Sequence, residues 1–285
     1  MDRLRLTWEG ERMDVFLQQF VYNRAVPLDV RELRLDRCDG VLTRTLTYAT
    51  VFGHRRAAYV VRPVGEGPFP LILYVHWYEP SSPDSHRQQF LSEAQDMARR
   101  GCSSLLVETL WSDRDWFIKR TQADDYPQAI QQVVELRQAL DLLLAQPGGD
   151  PARLAFVGHD FGAMYGALLG RVDPRPSCYV LMAGAPCFSD WFLYYPRLEG
   201  VEREAFIASM KPLDPVTHVA ALSPAPLLFQ FANDDPHVPC ERAELFFSAA
   251  VEPKTLRWYE AGHSLNAQAA TERVDWLTAQ LNVPL

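Results

Sequence analysis

The chain has 285 residues, 48% of them hydrophobic, and a formal charge of −8 at pH 7. That length suits one large domain, or one domain with a lid, and the apolar content supports a sizeable core. The acidic balance argues against nucleic acid or an anionic membrane as partner, and the scattered cysteines 38, 102, 178, 187 and 240 outline neither a disulfide framework nor a zinc site.

Residues 10–24 put Met13, Phe16, Leu17, Phe20 and Val21 on one helical face. Residues 1–40 therefore read as an N-terminal helical segment packed on the core, with a lid or dimer contact as the other use of that face. A homodimer stays open, and the oligomeric state is not readable. No apolar h-region follows Met1-Asp2-Arg3-Leu4-Arg5, and no run approaches membrane-spanning length. A cytoplasmic protein without a signal peptide is expected.

Residues 41–50 and 57–62 are β-rich and flank Phe52-Gly53-His54, a hairpin signal. Residues 63–70 form a Gly/Pro loop, and 71–76 are a strongly apolar strand ending in His76-Trp77-Tyr78. Residues 85–100 carry Phe90, Leu91, Ala94, Met97 and Ala98 at helical spacing, and Gly101 stops them. A buried strand over 103–107 follows. Pro127 is read as the opening of a long helix that stops at Pro147-Gly148-Gly149. Beyond it lie strands over 154–157, 178–183, 226–231 and 255–259. A helix covers 241–250, and a closing helix covers 267–281. Residues 188–221 lack a strand signal and read as a lid-like insertion with a short helix near 203–210. Alternating strands and helices predict an α/β fold: a mostly parallel central sheet with helices on both faces. Reactive groups then belong at the carboxyl ends of the strands.

Three strand ends carry such groups. Gly158-His159-Asp160-Phe161-Gly162 follows the first, Asp234-Asp235-Pro236-His237-Val238-Pro239 the second and Glu260-Ala261-Gly262-His263 the third. A strand, a sharp turn between glycines and then a helix resemble the nucleophile elbow of the α/β hydrolases, where serine ordinarily stands between the glycines. Here Asp160 stands there, and no Gly-x-Ser-x-Gly occurs elsewhere. The order nucleophile, acid, histidine is also that of the α/β-hydrolase superfamily, and the resemblance spans roughly residues 40–285. Within it the chain is similar to the dienelactone hydrolase-like branch. There the acid precedes a segment like Pro236-His237-Val238-Pro239, which favours Asp235 over Asp234. The Gly-His-Asp start resembles the elbows of haloalkane dehalogenases, fluoroacetate dehalogenases and epoxide hydrolases. Those enzymes commonly carry Trp or Arg where Phe161 stands. The resemblance implies a triad of Asp160, His263 and Asp235. It implies an oxyanion hole from the amides of Phe161 and of Trp77 or Tyr78, with Trp77 where the family usually has glycine.

A carboxylate is already ionised at neutral pH and needs no base to attack. Attack on an ester carbonyl would give an anhydride, whereas attack on a saturated carbon bearing a halide or an epoxide oxygen gives an ordinary ester. His263, held by Asp235, would then direct water at that ester. The leading expectation is such a hydrolase. Carboxylic ester or lactone hydrolysis is its alternative, and a non-enzymatic ligand-binding relative with an altered elbow is the third. The expected partner is a small-molecule substrate, with no cofactor and no metal. Trp77, Tyr78, Trp111, Trp191, Tyr194 and Tyr195 are candidate leaving-group donors or pocket walls. His76 and Glu108 are further candidates for the pocket, and Asp190 is a minority candidate for the acid.

Overall fold

The computed structural model describes residues 14–82 and 87–284. Among them, nine strands form one sheet in the order β1-β2-β3-β5-β4-β6-β7-β8-β9. The strands are β1 (Arg31–Cys38), β2 (Val41–Ala49), β3 (Arg55–Pro63), β4 (Phe69–Val75), β5 (Ser103–Val107), β6 (Gly149–His159), β7 (Cys178–Met182), β8 (Leu227–Ala232) and β9 (Lys254–Tyr259). β1, β2, β3 and β5 pair antiparallel in succession, and every pair from β5 through β4 to β9 is parallel. The strands β4, β5, β7 and β8 are buried along their whole length, which is why each reads as a continuous apolar run.

Helices cover both faces. α2 (Leu91–Arg99) and α10 (Ala267–Leu281) bury Ala94, Met97, Leu277 and Leu281 in one core layer with Ile72, Val157 and Val180. α4 (Gln122–Leu144), α5 (Phe161–Val172) and α9 (Cys240–Ala249) bury Val133, Leu140, Leu168 and Phe246 in the other, with Leu73, Phe156 and Phe229. This is the expected α/β architecture.

Three sequence expectations need correction. Among the described residues of the N-terminal segment only Val15–Gln18 is helical (α1), and Met13 lies outside the described residues. The segment still packs on the core through buried Phe20, and Phe16 stacks on His218. Residues 31–38, expected within a helical segment, form β1 instead. This edge strand is exposed on almost every residue, so a backbone ladder to β2 defines it and no apolar alternation announces it. Finally, α4 starts at Gln122, five residues before Pro127, which sits inside the helix. Residues 188–221 contain no strand, as expected, and form α6 (Phe188–Phe192), α7 (Gly200–Met210), α8 (Pro215–His218) and short 3-10 turns. Between β5 and α4 lie a 3-10 turn (Leu110–Ser112) and α3 (Trp116–Lys119).

Chain order explains where the site lies. From β4 the chain moves outward to β5, then crosses back to β6 on the other side of β4. The carboxyl ends of β4 and β6 therefore open onto one crevice, the place where such sheets bind ligands. Asp160 follows β6, and the His76-Trp77-Tyr78 turn follows β4.

Candidate active site

Asp160 has φ 56° and ψ −117°, the geometry of the first central residue of a type II′ turn and ordinarily a glycine conformation. The turn is tight enough to exclude side chains on both flanks. A Cβ on Gly158 would lie 2.3 Å from the Gly162 carbonyl oxygen, and a Cβ on Gly162 would lie 2.2 Å from the Val75 carbonyl oxygen. Both obstacles are backbone and neither can rotate away. Gly162→Ala is therefore expected to lower stability by about 3 kcal/mol or more, read from the urea midpoint. A loss below about 1 kcal/mol would mean the elbow is not under this steric constraint.

The structure brings Asp160, His263 and Asp235 together. His263 Nδ1 lies 2.8 Å from Asp235 Oδ2, and His263 Nε2 lies 4.0 Å from Asp160 Oδ2. Asp235 is aimed by its own loop: its Oδ1 accepts the amides of His237 at 2.8 Å and Val238 at 3.1 Å. Burial opposes the charge on His263, but the carboxylates of Asp160 and Asp235 outweigh it and push the ring up to about 9. Burial also opposes the charge on Asp235. The His263 contact and the two amides outweigh it and hold the carboxyl below its ordinary value. The two acids beside the ring therefore favour its imidazolium form at neutral pH.

Of the candidate oxyanion donors, the Tyr78 amide points at Asp160 Oδ2 at 3.2 Å. The Trp77 amide is engaged elsewhere, donating to Gln89 Oε1 at 3.1 Å. The Phe161 amide opens α5, among the first-turn amides that helix geometry leaves without an intrahelical acceptor.

The remaining candidates divide clearly. Trp191 is 8% exposed, and its ring stacks on His237 at 5.0 Å and lies 5.7 Å from His263. Buried atoms without a hydrogen-bond partner include Trp191 Nε1, Asp160 Oδ1 and His263 Nε2. Tyr194 packs against Trp191 and is half-exposed, as is Tyr195, whose carbonyl accepts from Arg120. The other candidates serve the scaffold. Trp111 is fully buried and its indole N–H donates to the His76 carbonyl at 3.0 Å, so it is not available to a leaving group. The Tyr78 hydroxyl donates to the Arg114 carbonyl at 2.6 Å. The His76 ring meets Ser112 Oγ at 2.8 Å and Thr109 Oγ1 at 3.2 Å under the β5 loop. Glu108 accepts the Ala57 amide at 2.6 Å and pairs with Arg87, which ties it to β3 and not to Asp160. Asp190 pairs with Arg242 and accepts the Cys187 amide, so it is not the partner of His263.

Two features escaped the sequence. The Trp77 ring stacks on His159 at 4.9 Å and on His263 at 5.5 Å. Gln89 reaches from the turn before α2 to both Trp77 and His159. No spacing pattern links residues 77, 89, 159 and 263. Among the described residues no cluster of three or more His, Cys, Asp or Glu side chains is arranged to hold a metal ion. No helix among them is long and apolar enough to cross a membrane.

By sequence, no protein-family model and no curated protein matches the chain. By structure, it is similar to an acetyl xylan esterase from Paenibacillus sp. R4, with a TM-score of 0.74 at 17% identity over 93% of this chain and 90% of that one. Acetyl xylan esterase 1 from Thermoanaerobacterium sp. JW/SL YS485 gives 0.75 at 14% identity over 93% and 92% of the two chains. A Klebsiella pneumoniae subsp. pneumoniae MGH 78578 protein described as a dienelactone hydrolase gives 0.62 at 18% identity over 86% and 99%. The chain has the α/β-hydrolase fold.

Proposed function

We propose that the chain is a hydrolase in which the Asp160 carboxylate attacks a saturated carbon bearing a halide or an epoxide oxygen. The disposition of the two carboxylate oxygens supports it most. Oδ2 takes the Tyr78 amide, the donor that a serine enzyme would offer to a substrate carbonyl, and Oδ1 has no partner. When Oδ1 bonds to the substrate carbon, the carbon–halide or carbon–oxygen bond breaks and its electron pair leaves with the halide or the epoxide oxygen. Oδ2 becomes the ester carbonyl oxygen, and the amide already on it stabilises the oxyanion of the next step.

The electrostatics order the two steps. The imidazolium of His263 can protonate an epoxide oxygen as it leaves. Esterification removes the Asp160 charge, one of the two that hold the proton on the ring. His263 then gives up its proton readily, to the alkoxide or to solvent, and Nε2 can take one from water. That water attacks the ester carbon and releases the alcohol with a proton from His263, restoring the carboxylate.

Carboxylic ester or lactone hydrolysis is the second reading. The structural neighbours support it better than the first, since those described above are acetyl xylan esterases and a dienelactone hydrolase. In that reading neutral His263 activates water directly against the substrate carbonyl, and Asp160 only orients it. The two readings differ in pH dependence. Turnover of haloalkanes, styrene oxide and p-nitrophenyl esters, measured from pH 6 to 10, separates them. The first predicts halide or diol release at neutral pH. Ester turnover alone, rising as pH passes about 9 where His263 loses its proton, would overturn it in favour of the second. Ligand binding with no turnover at all would overturn both.

A further inference from the structure

We infer that Gln89 is a positioning residue that sets the catalytic histidine and the oxyanion turn together, acting through His159. The inference rests on His263 and the Tyr78 turn being the working parts of the site. The route runs over three contacts. The Trp77 amide lies 3.1 Å from Gln89 Oε1, Gln89 Nε2 lies 2.5 Å from His159 Nδ1, and His159 Nε2 lies 2.9 Å from the His263 carbonyl oxygen.

The two ends of this chain dictate everything between them. A backbone amide can only donate, so Gln89 presents Oε1 to Trp77 and its NH2 to His159. Nδ1 must then accept, which puts the proton of a neutral ring on Nε2. That N–H meets the His263 carbonyl, which can only accept. Every orientation is determined, and only a side chain with one acceptor and one donor fits at position 89. Glutamate offers two acceptors, and leucine offers none.

Packing places the consequence at the reacting atoms. The Trp77 ring is stacked on both the His159 and the His263 rings, so the amide that Gln89 holds carries the surface against which the catalytic imidazole rests. The next amide in the chain is the Tyr78 donor to Asp160. One side chain on the α2 side of the crevice thus holds the loop after β4, the elbow histidine at the end of β6 and the histidine loop after β9 in register. Tyr74 on β4 and Phe90 beside Gln89 stack at 4.9 Å, which packs the start of α2 against the sheet.

Long-range 1H–15N spectra of histidine-labelled protein test this without a substrate. Wild type is expected to show His159 neutral with its proton on Nε2. In Gln89→Glu the ring should become doubly protonated, because a carboxylate oxygen faces Nδ1. In Gln89→Leu the His159 and His263 signals should both move. The His263 midpoint should fall by about one pH unit, a tenfold loss of proton affinity as its ring leaves the carboxylates. A wild-type proton on His159 Nδ1 overturns the inference. So does a folded Gln89→Leu variant with the His263 signals and midpoint unchanged. If Gln89→Leu fails to fold, the wild-type tautomer and the Gln89→Glu protonation state decide. None of these outcomes depends on which bond the protein cleaves, so failure of the proposed chemistry and failure of this inference are read separately.

Discussion

His263→Gln is expected to release about one equivalent of halide per active site from a haloalkane that the wild type turns over, and then to stall. With a halide, removing the base leaves the first step intact, because a carboxylate attacks without one and a halide leaves without a proton. Glutamine keeps bulk and some hydrogen bonding beside Asp235 but cannot take a proton from water. The protein mass should rise by the alkyl group, located on the peptide that carries Asp160. Asp160→Asn should abolish both the burst and the adduct, with turnover down on the order of 10⁴-fold, because an amide is a poor nucleophile. Ester hydrolysis by His263-activated water predicts a different pair of results. Loss of His263 then stops the first bond cleavage, and no adduct forms on Asp160. A binding-only protein predicts neither burst nor adduct. The competition between oxygens is what the experiment reads: Asp160 Oδ1, buried and without a partner, against a water that only a neutral His263 can activate.

Asp235→Asn should slow hydrolysis of the intermediate on the order of 10⁴-fold while the first step survives. Asp235 requires a proton on His263 Nδ1 and so leaves Nε2 as the nitrogen facing Asp160. Asparagine can turn its NH2 to Nδ1, which moves the proton to Nε2 and removes the base. The same substitution should change stability against pH. The His263 ring is pushed up to about 9 by its two carboxylates against the opposing effect of burial. A raised value stabilises the fold fully below the ordinary histidine value of about 6.5, and that stabilisation is lost as pH rises through about 9. It is on the order of 3 kcal/mol, and with one carboxylate gone it should be smaller and fully lost at lower pH. Unfolding midpoints at pH 6 to 10 test this. Identical profiles for the two proteins would mean that Asp235 does not hold the proton. Asp190→Asn is the matching control. It leaves the His263 contacts untouched, so near-wild-type hydrolysis is expected, and a large loss would return Asp190 to candidacy as the acid.

Much of this protein was legible one residue after another. The buried strands declare themselves because both of their faces are covered, so each must be a continuous apolar run. The elbow declares itself because glycine alone clears the backbone at 158 and 162. Asp160, Asp235 and His263 could be named as candidates because each follows a strand at its carboxyl end, and chain order alone puts those ends on one edge. The tertiary structure decided what chain order does not encode, namely which partner each side chain meets. β1 carries no apolar pattern because almost nothing packs on it. Trp111 and Tyr78 looked like donors to a leaving group, yet carbonyls at positions 76 and 114 already take their protons. Glu108 follows a strand beside the crevice but accepts the Ala57 amide of β3. The Trp77 ring, the Gln89 amide and the His159 imidazole become one brace only when β4, β6 and β9 are laid out in the sheet. Hydrogen bonds and ring contacts act over a few ångströms, and residues 77, 89, 159 and 263 acquire that proximity only through the fold.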